Sequence, residues 1–96
     1  MTNIIDVDGY WTIELVYDVV LDDTIEGFTK TDMKNRRSIV GLSNTYSLNN
    51  FINTIVHEAK HVQSHICEYY NVPENGEQAA YLIAYIVTEI FKVLDI

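Results

Sequence analysis

The chain reads as an α+β domain: a short antiparallel β-sheet formed by the N-terminal part, packed on two C-terminal helices. Three observations predict it. Residues Tyr10 to Leu21 are rich in β-formers and alternate between apolar and polar side chains, the period of a half-buried strand. Leu48, Ile52, Ile55, Ala59, Val62 and Ile66 recur at helical spacing and form one apolar stripe. A second helical run, Glu77 to Leu94, follows the turn Asn71-Val72-Pro73-Glu74-Asn75-Gly76, which holds the only proline.

Taken in order, Met1 to Asp8 reads as a loosely held start, with Asp8-Gly9 as a turn. In the strand that follows, Trp11, Ile13, Leu15, Tyr17 and Val19 share one parity, and Thr12, Glu14 and Asp18 the other. Asp22-Asp23 turns the chain, and Thr24 to Thr29 is expected as a short second strand broken by Gly27. Thr31 to Asn35 is polar, a loop or a single helical turn, and Arg36 to Leu42 is expected as a third strand. Asn44-Thr45-Tyr46 leads into the first helix, which Ser47 is placed to cap and which should run to about Tyr70. The second helix is apolar nearly all round, so it should be buried on more than one side by the sheet, the first helix or a second copy. A homodimer through this helix is a reasonable expectation for so small a chain.

Ninety-six residues allow one domain, 1–96, with a β-rich part (1–46) and a two-helix part (47–96). Apolar content of 48% beside 21% charged residues is that of a folded soluble protein. The first ten residues carry acids and no basic stretch, which argues against a signal peptide, and Glu89 and Lys92 interrupt the C-terminal apolar run, which argues against a membrane span. A single cysteine, Cys67, excludes an intrachain disulfide and suits a reducing interior, so a cytoplasmic protein is expected. Cys67 is either a small core residue or a spare soft ligand. The net charge of −8 argues against nucleic acid as a partner. Lys30, Lys34, Arg36 and Arg37 cluster, either as a solvated loop or as an anchor for an acidic partner.

The chemistry gathers at His57-Glu58-Ala59-Lys60-His61. On a helix, residues four apart stand one above the other, so both imidazoles can reach one metal ion. Zn²⁺ is the expected ion, because neutral imidazole is a standard zinc ligand and a catalytic zinc keeps a position open for water. Glu58, next to the first histidine, can take a proton from that water as general base. On the helical wheel the histidines fall nearly opposite the apolar stripe, so one face packs while the other meets something polar. A third ligand is needed. Glu77 is the leading candidate, since the turn at Pro73–Gly76 folds the second helix back on the first; His65 and Glu74 are the alternatives.

His57-Glu58-Ala59-Lys60-His61, with Glu77-Gln78-Ala79-Ala80-Tyr81 on the next helix, resembles the gluzincin group of zinc metallopeptidases. More narrowly, Ile55 to Val62 followed by Glu77 to Tyr85 is similar to small peptidase-like proteins of phages and prophages. The resemblance covers about the last fifty residues. It implies a minimal zincin-like fold, Zn²⁺ held by His57, His61 and Glu77, Glu58 as base, and a peptide or protein substrate. It also implies a strand edge beside the active helix that aligns an extended peptide, a part Arg36–Leu42 could take. Tyr81, Tyr85 or His65 would donate a hydrogen bond to the tetrahedral intermediate. The second lobe of a typical gluzincin is missing, and the alternative expectation is an inactive, metal-stabilised interaction protein binding a protein partner.

Overall fold

The computed structural model describes residues 1–22, 24–44 and 47–96; Asp23, Thr45 and Tyr46, and with them part of the expected Asp22-Asp23 turn and of the lead-in to the first helix, lie outside the described residues. Four strands precede two helices: β1 (Thr2–Val7), β2 (Trp11–Val19), β3 (Gly27–Asp32), β4 (Arg37–Ser43), α1 (Leu48–Tyr70) and α2 (Glu77–Leu94). The α+β class and the order of its parts are those the sequence predicts.

Two features of the sheet differ from expectation. The start of the chain is a strand, not a loose end: β1 pairs antiparallel with β2 from Thr2↔Val16 to Val7↔Trp11. Its alternation is masked in the sequence because Ile4 points outward while Ile5 and Val7 are buried. Tyr17 secures the far end, its hydroxyl donating to Asn3 Oδ1 at 3.0 Å. The Asp8-Gly9 turn is as predicted, with both residues at positive φ (49° and 79°).

The sheet is also mixed rather than wholly antiparallel. Its order is β1-β2-β4-β3, and β2 runs parallel to β4. The link from β2 to β3 spans two inter-strand spacings, about 10 Å, and β4 then returns through the gap to pair antiparallel with β3. The chain reverses between β3 and β4 at Arg36 (φ 53°), where Asp32 accepts from the backbone and side chain of Asn35. The expected loop at Thr31–Asn35 therefore begins two residues late, because Thr31 and Asp32 still pair with Ser38 and Arg37.

Ser47 caps α1 through a hydrogen bond from the Asn50 amide, and Asn71 closes it in the left-handed conformation. Ile55, Ala59, Val62 and Ile66 of α1 meet Trp11, Ile13, Leu15, Val40 and Leu42 of the sheet and Ile86 and Ile90 of α2 in one core. On α2 only Ala79, Ile86 and Ile90 are fully buried, and its other large apolar side chains are half-buried or, like Tyr81, exposed. Among the described residues no helix is long and apolar enough to cross a membrane.

Candidate metal and catalytic site

The apolar stripe of α1 fixes how the helix is turned and therefore where its polar residues point. His57 and His61 come out exposed on adjacent turns, with Nε2 atoms 3.2 Å apart and rings nearly perpendicular at 78°. A tetrahedral ion with imidazole nitrogens at about 2.0–2.1 Å holds two such atoms about 3.3 Å apart. The pair is therefore spaced as two ligands of one ion. Without an ion, the same spacing allows one ring to donate to the other.

Glu58 points the other way from solvent. It is 6% exposed, and its Oε1 accepts a 2.8 Å hydrogen bond from Thr29 Oγ1 of β3. The approach of helix to strand here is close: a Cβ on Gly27 would stand 2.7 Å from Thr54 Cγ2 and 3.2 Å from Glu58 Cγ. Gly27 is thus the first residue of β3 rather than a break within a strand, because only a glycine lets α1 lie so near. Gly27, Thr29 and Thr31 face α1 at strand period, opposite Thr54, Glu58 and His65. The sequence reading did not single out this polar lane. Its signal is there: small and hydroxyl residues at period two, matching a polar edge on the following helix.

The lane continues into a chain of hydrogen bonds from the buried Trp11 and Ser38 to the half-buried Thr31 and His65. Trp11 Nε1 donates to Ser38 Oγ at 3.1 Å, Ser38 Oγ pairs with Thr31 Oγ1 at 2.8 Å, and Thr31 Oγ1 pairs with His65 Nδ1 at 2.8 Å. The direction of each proton follows from the donor inventory. An indole nitrogen can only donate, so Ser38 accepts from Trp11, and the arrangement that gives the buried Ser38 proton an acceptor sends it to Thr31. Thr31 is then left to donate to Nδ1 of His65, and the neutral ring carries its hydrogen on Nε2. A histidine held in this tautomer presents an N–H donor rather than a metal lone pair. With Nδ1 bonded to Thr31, His65 has only Nε2 left for any further partner, one turn beyond His61.

The other residues singled out by the sequence lie elsewhere. Gln63 Nε2 donates to the Ala79 carbonyl at 3.0 Å, which seats the first turn of α2 on a flank about 160° around α1 from His61. Glu77 opens that turn, exposed, and the structure does not bring it together with the histidine pair. Glu74 is engaged by Ser64 Oγ (2.8 Å) and Lys60 Nζ (3.3 Å), which hold its carboxyl below the usual glutamate range, the Ser64 bond foremost. Among the described residues, no three His, Cys, Asp or Glu side chains are grouped to hold an ion. A carboxylate that the sequence reading passed over, Glu26, reaches Thr54 Oγ1 at 3.4 Å, one turn before His57.

Tyr81 is 73% exposed and lines a cavity with Ile66 and Cys67, on another flank of α1; it is not placed to donate to a group held by the histidines. Tyr85 lines the same cavity and its hydroxyl turns to the Asp6 carbonyl at 3.4 Å. Cys67 is buried at the edge of the core, and burial pushes its thiol pKa up, away from the thiolate a metal needs. The expected guiding edge is also reassigned. β4, the Arg36–Leu42 segment, is interior, flanked by β2 and β3, whereas β3 is the sheet edge that runs beside Glu58 and His65. The Lys30–Arg37 cluster is spread over the hairpin of β3 and β4, with Arg37 3.7 Å from Glu14. Comparison of the chain with protein-family models, curated proteins and solved structures returns no match.

Proposed function

We propose that the face formed by His57, Glu58, His61 and edge strand β3 is a divalent-metal site of zinc type that hydrolyses peptide bonds. The carrying observation is the convergence of two imidazole nitrogens at 3.2 Å, on the helix turn that also holds a sheltered carboxylate. The likeness of His57-Glu58-Ala59-Lys60-His61 to the gluzincin motif supports the same reading. His57 and His61 would hold the ion, with Glu26, which reaches Thr54 one turn before His57, as the third donor. Zn²⁺ supplies Lewis acidity toward water and the scissile carbonyl. Thr29 fixes Oε1 of Glu58 and leaves Oε2 to accept the proton as general base. Nε2–H of His65 donates to the developing oxyanion, and the free edge of β3 aligns an extended substrate by main-chain hydrogen bonds.

A second reading is an interaction protein in which the ion stabilises the fold without chemistry. It is favoured by the Thr29 bond that holds Oε1 of Glu58 and by the absence of a third converged ligand among the described residues. One experiment separates the two. Purified protein is analysed for bound zinc, and its hydrolysis of an unstructured protein substrate is compared for wild type, His61→Ala and Glu58→Gln. The hydrolase reading expects one zinc per chain in wild type and Glu58→Gln, loss of zinc in His61→Ala, and activity in wild type alone. Zinc retained by His61→Ala sinks the metal assignment, and activity surviving Glu58→Gln removes the base.

A further inference from the structure

On the flank of α1 away from the histidines, a half-open cavity of about 800 Å³ lies between the β1–β2 turn, the end of α1 and the first turns of α2. Its walls carry four of the seven tyrosines, Tyr10, Tyr70, Tyr81 and Tyr85, with apolar side chains such as Leu82 behind them. Tyr10, Tyr70 and Tyr85 are held in place. Tyr70 donates to the Tyr10 carbonyl at 3.1 Å and the two rings meet edge to face at 5.3 Å, while Tyr85 is tied to the Asp6 carbonyl. Tyr81 stands free at 73% exposure.

The charges around this cavity have one sign. Asp8 lines it, and none of the six basic residues of the chain does. Burial raises the hydroxyl pKa of Tyr85, and Glu89, Asp8 and Asp6 raise it further; Lys92, which acts against them, is engaged by Glu89 at 2.9 Å. Aromatic faces carry negative potential and attract cations, more strongly where water is thinned. A carboxylate beside them adds a fixed partner.

We propose that this cavity receives an arginine side chain presented by an extended segment of a partner protein. The three chemical needs of that group are met together. Its aliphatic stem has an apolar wall, its planar guanidinium has four tyrosine rings among the lining residues, and its fork of N–H donors has the Asp8 carboxylate. Lysine meets the same surface less well, because an ammonium is more strongly hydrated and cannot stack. The volume exceeds one side chain, which leaves room for the residues on either side of the arginine. This site does not depend on the histidine face.

The test titrates the whole chain with blocked glycine-X-glycine tripeptides in which X is arginine, lysine or citrulline, the neutral isostere of arginine. Binding is followed by NMR on the tyrosine rings and backbone amides. The arginine peptide is expected to shift signals of Tyr10, Tyr81, Tyr85 and Asp8 and to bind about tenfold more tightly than the citrulline peptide. Asp8→Asn keeps a residue that tolerates the left-handed turn, and Tyr81→Ala removes an exposed ring, so both should fold; each is expected to weaken arginine binding about fivefold. Equal binding of citrulline or lysine would overturn the guanidinium assignment. Shifts scattered over the acidic surface and unchanged in Asp8→Asn and Tyr81→Ala would reduce the effect to general attraction by a chain of net charge −8. No shift at millimolar peptide would remove the site.

Discussion

The two flanks of α1 are built on opposite terms. Toward α2 and the centre of the sheet, Ile55, Ala59, Val62 and Ile66 are buried with no more than 3% exposed, and apolar contact does the holding. Toward β3 the same helix presents Thr54, Glu58 and His65 to a glycine and two threonines, and hydroxyl hydrogen bonds replace hydrocarbon. Among the described residues no buried side-chain nitrogen or oxygen lacks a partner. The polar flank is thus complete as a hydrogen-bonded unit, although it adds little hydrophobic stabilisation. A core side chain can be replaced by any apolar group of similar shape, but this flank works only with its particular donors and acceptors. One flank is held by apolar contact and the other by directed hydrogen bonds.

That division can be broken most directly from the apolar side. Ile55→Ala empties a fully buried position between α1 and the sheet and should cost about 2–5 kcal/mol in a urea unfolding experiment. The two imidazoles are set by local helix geometry, so on the proposed metal assignment folded Ile55→Ala protein should bind zinc with wild-type affinity. A loss of zinc affinity in the folded variant would show that the flanks are coupled after all.

Ser38→Ala acts on the polar side with a smaller effect. It strands the buried Trp11 indole N–H and removes the hydroxyl that directs Thr31, and should cost about 1–3 kcal/mol. Its sharper readout is the His65 ring. Nitrogen-15 chemical shifts should report the Nε2–H tautomer in wild type and a mixture of tautomers in Ser38→Ala. An Nδ1–H ring in wild type would turn round the Thr31 and Ser38 hydroxyls while Trp11 still donates, and would remove the role given to His65.

What could be read from the sequence was what is local. Both helices declare themselves through a sustained period, α1 also through its cap at Ser47 and the turn that opens at Asn71, and the histidine pair follows from i, i+4 geometry alone. What could not be read depends on where the chain goes next. β1 carries Asn3 and Asp6 and becomes a strand only because β2 offers it a partner. β4 enters between β2 and β3, so no nearest-neighbour reading of the strands gives the parallel pair or the identity of the edge. Gly27 reads as a strand breaker until α1 is laid against it. The third donor suffers in the same way, since Glu77 was linked to the histidines by chain order while the Gln63–Ala79 contact seats α2 on a different flank.

The smallest expected effect concerns the turn that sends α2 to that flank. Glu74 ties the turn to α1 through Ser64 and Lys60, and these partners lower its pKa from the ordinary 4.5. The unfolded chain therefore takes up a proton at higher pH than the folded one. The tie contributes fully above about 4.5 and is lost as pH falls through the lowered folded value. Glu74→Gln keeps an oxygen for Ser64 but has no charge for Lys60. Wild type should melt slightly above the variant at neutral pH, and the gap should close on acidification below the ordinary glutamate value. Asp22 and Asp32, whose carboxyls are also held low by hydrogen bonds from Thr24 and Asn35, titrate identically in both proteins and cancel in the difference. A gap that stays constant or widens in acid would mean that the carboxylate is not favoured by the fold, and that α2 is directed by the Gln63–Ala79 contact without help from the turn.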